Sequence, residues 1–239
     1  MSLTIFIPVR KGSERVAEKN TRNFAGIEGG LLKLKLKQLK HFDLVTEIVV
    51  STNDEKCWKI ASGFQRQIEN LKLVERPQAL GNSETKLSDL IIHVAEITTS
   101  EDILWTHVTS PFCDAEKYTM AIKKYYEVRN SGYDSLTSGR EYREFLLDKR
   151  SGKIVNNPTE FSWPRTQELA DWFEINNAVF IAAREDYKQG KRTGKNPFLM
   201  EFDKISSMDI DDEEDFKIAE AVYERIYRNS MLLMKYTKP

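Results

Sequence analysis

Cysteine is scarce in this chain: Cys57 and Cys113 are the only two. So few thiols at that spacing exclude a disulfide framework and a thiolate metal site, and they suit a reducing compartment in which both stay unpaired and partly buried. Net charge is also lacking. The 36 basic and 37 acidic residues leave a formal charge of -1, so whole-molecule electrostatics give no reason to expect nucleic acid, and any anion site must be local. No apolar run is long enough to cross a bilayer. The short run Leu3 to Val9 passes straight into Arg10 and Lys11 without the order of a signal peptide, so the expected location is the cytoplasm, with no membrane partner. Internal repeats are absent.

What is present is a 40% hydrophobic complement, enough for one sizeable core, and residues 1–239 read as one domain. Apolar runs at 4–9, 47–51, 71–74, 102–108 and 178–181 predict strands. Helices are predicted over 31–42, 55–67 (capped by Thr52-Asn53-Asp54), 87–97, 115–129 and 213–233. Such alternation predicts an α/β fold, a Rossmann-like, mostly parallel sheet with helices on both faces and ligands beyond the carboxyl ends of the strands. Between 134 and 175 the texture becomes short, polar and aromatic. That stretch reads as a small β-containing insertion that covers the site or forms a dimer contact. Lys33, Lys35 and Lys37 read as a solvated helix face.

Two stretches carry most of the chemistry. The loop Arg10-Lys-Gly-Ser-Glu-Arg-Val-Ala-Glu-Lys19-Asn20 sets four cations, a glycine and a serine after the first strand. This is an anion-binding composition, although it has neither the P-loop ending nor the dinucleotide fingerprint. The second stretch is Asp209-Ile-Asp211-Asp-Glu-Glu-Asp215. Two carboxylates one residue apart share a face of an extended segment and can meet a hard cation such as Mg²⁺; the competing reading is a helix cap by Asp211 or Asp212. Thr106-His107-Val-Thr109-Ser110-Pro111 ends a strand where a ligand can be met, with His107 open either to a base or sugar or to a structural role. Asn176-Asn177 offers amides for hydroxyl recognition or for a turn.

In order along the chain, these pieces resemble the acylneuraminate cytidylyltransferase family. Arg10, Ser13, Lys19 and Asn20 match its Ala-Arg-x-x-Ser-Lys-Gly-x-x-x-Lys-Asn segment, Val50-Ser-Thr-Asn53 its Val-Ser-Thr-Asp, Arg76-Pro77 its Arg-Pro pair, and His107 to Pro111 its Gln-Pro-Thr-Ser-Pro. Asn176 to Phe180 is similar to its Asn-Gly-Ala-Ile-Tyr strand, and Asp209-Ile-Asp211 to its Asp-Ile-Asp metal motif. The resemblance implies a nucleotidyltransferase that uses CTP and Mg²⁺ to activate a 2-keto sugar acid, and a homodimer in which the middle excursion reaches the neighbour. It implies that Lys19 and Arg10 are catalytic, and that Arg10, Ser13, Lys19, Asn20, Arg76, Asn82 and Ser83 hold the nucleotide. His107, Thr109, Ser110, Arg165, Gln167 and Asn176 would meet the substrate, and Asp209 and Asp211 the metal.

The chain departs from the family pattern at Glu14-Arg15-Val16-Ala17, which replaces Lys-Gly-x-Pro under the phosphates. His107 stands for glutamine, and Glu174 takes the place of an arginine. Two other readings compete. A metal-dependent nucleotide-sugar glycosyltransferase shares the Asp-x-Asp pair but has no use for the cationic loop; a nucleotide-binding module would bind without turnover.

Overall fold

The computed structural model describes residues 2–82 and 84–228. Seven strands form one sheet in the order β3-β2-β1-β4-β6-β5-β7. The strands are β1 (Leu3–Val9), β2 (Glu47–Thr52), β3 (Leu71–Glu75), β4 (Asp102–Trp105), β5 (Ser135–Tyr142), β6 (Trp172–Ala183) and β7 (Pro197–Glu201). Only β6 runs against its neighbours, β4 and β5. The sheet is buried on both faces, as mostly parallel sheets require. One face packs on α1 (Gly30–Gln38), α2 (Glu55–Ser62), α4 (Ala115–Arg129) and α6 (Glu213–Tyr223), through side chains such as Leu31, Cys57, Tyr118 and Phe216. The other packs on α3 (Leu87–Ile97) and α5 (Arg184–Lys188), where Phe6 meets Trp105 edge-on at 4.8 Å.

The expected alternation holds through β4, and its deviations have local causes. β4 pairs with β1 only as far as Phe6 and Trp105, and the Thr106 N–H closes the ladder on the Phe6 carbonyl. The next β1 residue facing that side is Pro8, which has no N–H to extend it, so β4 ends at 105 rather than 108 and the two strands part. They part where the chain order reverses across the sheet, so sequence and topology open a crevice at one place. The predicted helix 55–67 stops at Ser62, with Gly63 as its C-cap. The helix predicted over 31–42 ends at Gln38. The last helix runs from Glu213 to Tyr223 and continues as a π-turn to Arg228; the predicted portion 229–233 lies outside the described residues.

The stretch 134–175 is only partly an excursion. β5 and the start of β6 are integral to the sheet, and β7, which the sequence reading left as a polar stretch, adds to β5 in parallel. β5 was concealed by its serines, threonine and charged end, and β7, Pro-Phe-Leu-Met-Glu, by its shortness behind a polar loop. A bulge between Thr137 and Gly139 lets β5 pass β6, and Gly139 is required there: a Cβ would lie 2.2 Å from the Glu174 carbonyl oxygen. Opposite the bulge, Asn177 takes φ 56°, the left-handed region that asparagine tolerates. Lys35 corrects another expectation. It is fully buried, and Nζ donates to the Ser110 carbonyl at 3.0 Å, the Cys113 carbonyl at 2.7 Å and the Tyr118 hydroxyl at 2.8 Å. An i, i+2 lysine pattern does not reveal which turn faces inward.

Candidate active site

The crevice between β1 and β4 is a cleft of about 360 Å³ lined by Pro8, Arg10, Ser13, Glu14, Arg15, Lys19, Asn20, Arg76, Leu87, Leu90 and Trp105, with His107, Val108 and Thr109. Seven of the residues expected at the site meet here: Arg10, Ser13, Lys19, Asn20, Arg76, His107 and Thr109. The loop after β1 is held from within and without. Asn20 Nδ2 donates to the Arg10 carbonyl at 3.2 Å, and the Lys11 N–H donates to Asn53 Oδ1 at 2.8 Å. Beyond the loop, a second recess of about 410 Å³ runs between Lys11-Gly12-Ser13 and Asp54-Glu55-Lys56.

The 209–215 segment divides its carboxylates by task. Asp212, not Asp211, caps α6: its side chain accepts from the Glu214 and Asp215 N–H groups, and Asp215 Oδ2 accepts from the N–H groups of Asp211 and Asp212. That leaves Asp209 and Asp211 outside the cap. Asp209 is held by Asn177, whose Nδ2 donates to Oδ2 at 3.0 Å, so the β6 bulge aims one amide at one carboxylate. Its Oδ1 is buried without a well-formed hydrogen bond, the Thr109 side chain lying beside it. Burial raises the Asp209 carboxyl above its ordinary value, partly offset by the nearby Thr109 side chain and the Asn177 bond. Asp211 is exposed and accepts from Arg15 Nη2 at 2.9 Å.

Lys19 joins the two halves. Its Nζ donates to the Ile210 carbonyl at 2.7 Å, between the two aspartates. Burial lowers its ammonium below the ordinary value, against the raising fields of Asp211 and Asp209. Arg76 is buried on Ser51, donating to its carbonyl at 2.9 Å, and is pushed down to about 10 by burial and by the charge of Arg10. Trp105 Nε1 donates to His107 Nε2 at 2.8 Å, which assigns the proton of a neutral imidazole to Nδ1. Burial, then Arg192, Arg76 and Lys19, push His107 down to about 3, so it remains neutral at physiological pH and serves as a hydrogen-bond donor rather than a base.

Other expected residues lie elsewhere. Ser110 is buried behind the cleft wall. Asn82 is exposed and spends its oxygen on the Glu84 N–H and the Thr85 hydroxyl, and Ser83 lies outside the described residues. Arg165 and Gln167 sit on an exposed turn where Arg165 pairs with Glu168 at 2.6 Å. Asn176 is turned inward, bonding Ser138 Oγ at 2.7 Å and Ser207 Oγ at 3.1 Å, because the bulge sends alternate amides to opposite sides and gives the site Asn177 instead. Glu174 faces away from the cleft and is neutralised by Arg140. Sequence reasoning offered both asparagines but chose Asn176 over Asn177, and it missed Trp105 and Arg192.

Among the described residues there is no cluster of three or more histidine, cysteine or acidic side chains that could hold a metal. Two carboxylates of which one has an unbonded oxygen fit Mg²⁺, which keeps waters and takes phosphate oxygens rather than needing a full protein cage.

No protein-family model matches the chain. It is 25% identical over 230 residues, 94% of its length, to an N-acylneuraminate cytidylyltransferase of Escherichia coli O18:K1:H7, and spans about half (53%) of that relative. A CMP-N,N'-diacetyllegionaminic acid synthase of Campylobacter jejuni is 24% identical over 222 residues, 90% of this chain and 92% of the relative. In sequence the chain is similar to the acylneuraminate cytidylyltransferases. Its fold matches a CMP:2-keto-3-deoxy-manno-octonic acid synthetase solved with CTP, at TM-score 0.65 and 11% identity over 94% of this chain and 99% of that one. The chain thus shares the fold of that structure, and its cationic loop after β1 lies at the topological switch point of the sheet. No helix among its described residues is long and apolar enough to cross a membrane.

Proposed function

We propose that this chain is a cytoplasmic cytidylyltransferase that transfers CMP from CTP to the anomeric hydroxyl of a 2-keto sugar acid and releases pyrophosphate, working as a homodimer with Mg²⁺. The observation that carries this reading is Lys19, which lines the cleft and ties the cationic loop after β1 to the backbone between Asp209 and Asp211. A triphosphate needs fixed positive charge and oriented donors more than covalent help.

In this reading Arg10, Arg15 and Lys19 neutralise the triphosphate, and Lys19 opposes the charge that accumulates as the acceptor oxygen bonds the α-phosphorus and the α–β bridge leaves with pyrophosphate. Ser13 and Asn20 hold the loop and orient phosphate and ribose, and Arg76 and the Nδ1–H of His107 face the base and sugar side. Asp209 and Asp211 would hold Mg²⁺, which supplies a Lewis acid on phosphate oxygens. For Asp211 this means exchanging Arg15 for the metal, and Arg15 is then free for phosphate.

The excursion between β5 and β6 supports the dimer. It presents Phe161 and Trp163, at 71% and 73% exposure, with Leu147 and Val155 beside Arg165 and Gln167. In a dimer those two side chains are available to the neighbour's acceptor, which is the role proposed for them.

The Arg15–Asp211 pair favours one second reading, a nucleotide-binding module that does not turn over. Pyrophosphate release with CTP, Mg²⁺ and a panel of 2-keto sugar acids, run beside ATP, GTP and UTP, separates the two. Release that needs CTP and one acid and collapses in Asp211→Asn supports the enzyme; CTP binding without release from any pair supports the module.

A further inference from the structure

Arg192 lies on the loop between α5 and β7, and the loop is fixed on both sides of it. The Lys191 N–H donates to the Asp186 carbonyl at 3.0 Å, and the Asp134 carboxylate accepts from the N–H groups of Lys195 at 2.7 Å and Asn196 at 3.0 Å. The guanidinium lies over the Phe180 ring at 3.9 Å and within 5.7 Å of the Trp105 ring centre. It makes no hydrogen bond or ion pair within the described chain. Other arginines withdrawn from water have oxygen partners: Arg22 has Glu213, Arg76 has Ser51, Arg140 has Glu174. A half-buried cation with five unspent donors is costly unless a ligand completes it.

Its surroundings point the same way. Thr137 sits directly opposite Phe180 in the sheet, and Tyr187 stacks on Trp105; both side chains are almost fully buried, and both hydroxyls lack hydrogen-bond partners. Trp105 lines the cleft and bonds His107, and Arg192 lies against Trp105 with its charge felt at His107, so this polar group adjoins the Trp105–His107 side, whereas Arg10, Arg15 and Lys19 belong to the loop after β1. The phosphates have their cations there. A planar fork on an aromatic platform matches a carboxylate, which it can meet with two parallel bonds.

We propose that Arg192 binds the carboxylate of the acceptor and is a determinant of specificity for acids, an inference that rests on the cytidylyltransferase reading. The test uses the acceptor found in the pyrophosphate assay and its methyl ester, with Arg192→Ala and Arg192→Lys. Loss of a charge-assisted pair is expected to raise the acceptor KM roughly ten- to hundredfold in Arg192→Ala, with kcat and the CTP KM unmoved and part of the effect restored by lysine. The wild type is expected to discriminate against the ester by the same factor, and the alanine variant to accept acid and ester alike. An unchanged acceptor KM, or a rise confined to CTP, overturns the assignment. If the wild type releases pyrophosphate with no acid at all, the cytidylyltransferase reading fails separately. Equilibrium titration with N-acetylneuraminate and its methyl ester then decides the site: binding that needs both the free acid and Arg192 sustains it, and its absence overturns it.

Discussion

Lys19 and Lys35 are both withdrawn from bulk water near the carboxyl end of β4, and the regions around them use the same ammonium in opposite ways. Lys35 rises from α1 into a closed space and finds three oxygens, the Ser110 and Cys113 carbonyls and the Tyr118 hydroxyl, so its donors are all spent on holding the turn behind the cleft. Lys19 reaches from a loop to the Ile210 carbonyl and, at 3.4 Å, the Asp211 carbonyl, and still faces an open cleft between two carboxylates. A saturated cation is structure; a cation with capacity left beside a cavity can meet a ligand.

The comparison can be broken by exchanging the losses. Lys19→Ala is expected to lower turnover by roughly 10²–10³-fold, as for removal of one preorganised oxyanion partner, while the unfolding midpoint in urea stays close to wild type. Lys35→Met is expected to do the reverse. It leaves the Cys113 carbonyl buried without its donor and takes one bond from the Ser110 carbonyl and the Tyr118 hydroxyl, which keep the Cys113 N–H and the Thr106 hydroxyl, and a stability loss of about 2–4 kcal/mol read from urea unfolding should accompany near-normal turnover of the folded fraction.

The pH dependence of stability sharpens the same contrast. Burial pushes Lys35 down to about 8 in the folded chain, whereas an unfolded lysine titrates near ~10.4. Between those values the unfolded state binds more protons, so stability should rise with pH through that window and be lost again as pH falls towards 8, by roughly 3 kcal/mol in all. Wild type and Lys35→Met compared from pH 7.5 to 10.5 should differ by that slope; parallel curves would show that Lys35 does not titrate there.

The smallest effect separates the two neighbouring aspartates. Asp212→Ala removes the cap of α6 and should cost about 1 kcal/mol of stability, with turnover retained, because its carboxylate is spent on the Glu214 and Asp215 N–H groups. Equal damage to turnover from Asp212→Ala and Asp211→Asn would mean that the segment acts as one unit rather than as cap and ligand.

Much of this was legible beforehand. The apolar runs at 4–9, 47–51 and 71–74 needed only their own period to be read as strands, and all three lie in the sheet. The cleft-lining loop after β1 was legible because charge, glycine and serine concentrated after a strand have few structural uses. β5 and β7 were not, because β5 carries little apolar signal and β7 is a five-residue run that follows a polar loop. Nor was Lys35, since three lysines at alternate positions carry no sign of which one points inward.

The sequence by itself determined the alternating α/β order, the cationic loop after β1, the acidic segment before α6, and, through Pro8, the point at which β1 and β4 separate. These are local properties of covalent composition, turn chemistry and hydrogen-bonding capacity. Tertiary structure alone decided that Asp212 caps while Asp209 and Asp211 stand clear, that Asn177 rather than Asn176 reaches the site, and that Arg192 lies unpaired on Phe180 and Trp105. Each of those depends on which atoms distant in the chain come within a few ångströms, and hydrogen bonds and charges act only over that range.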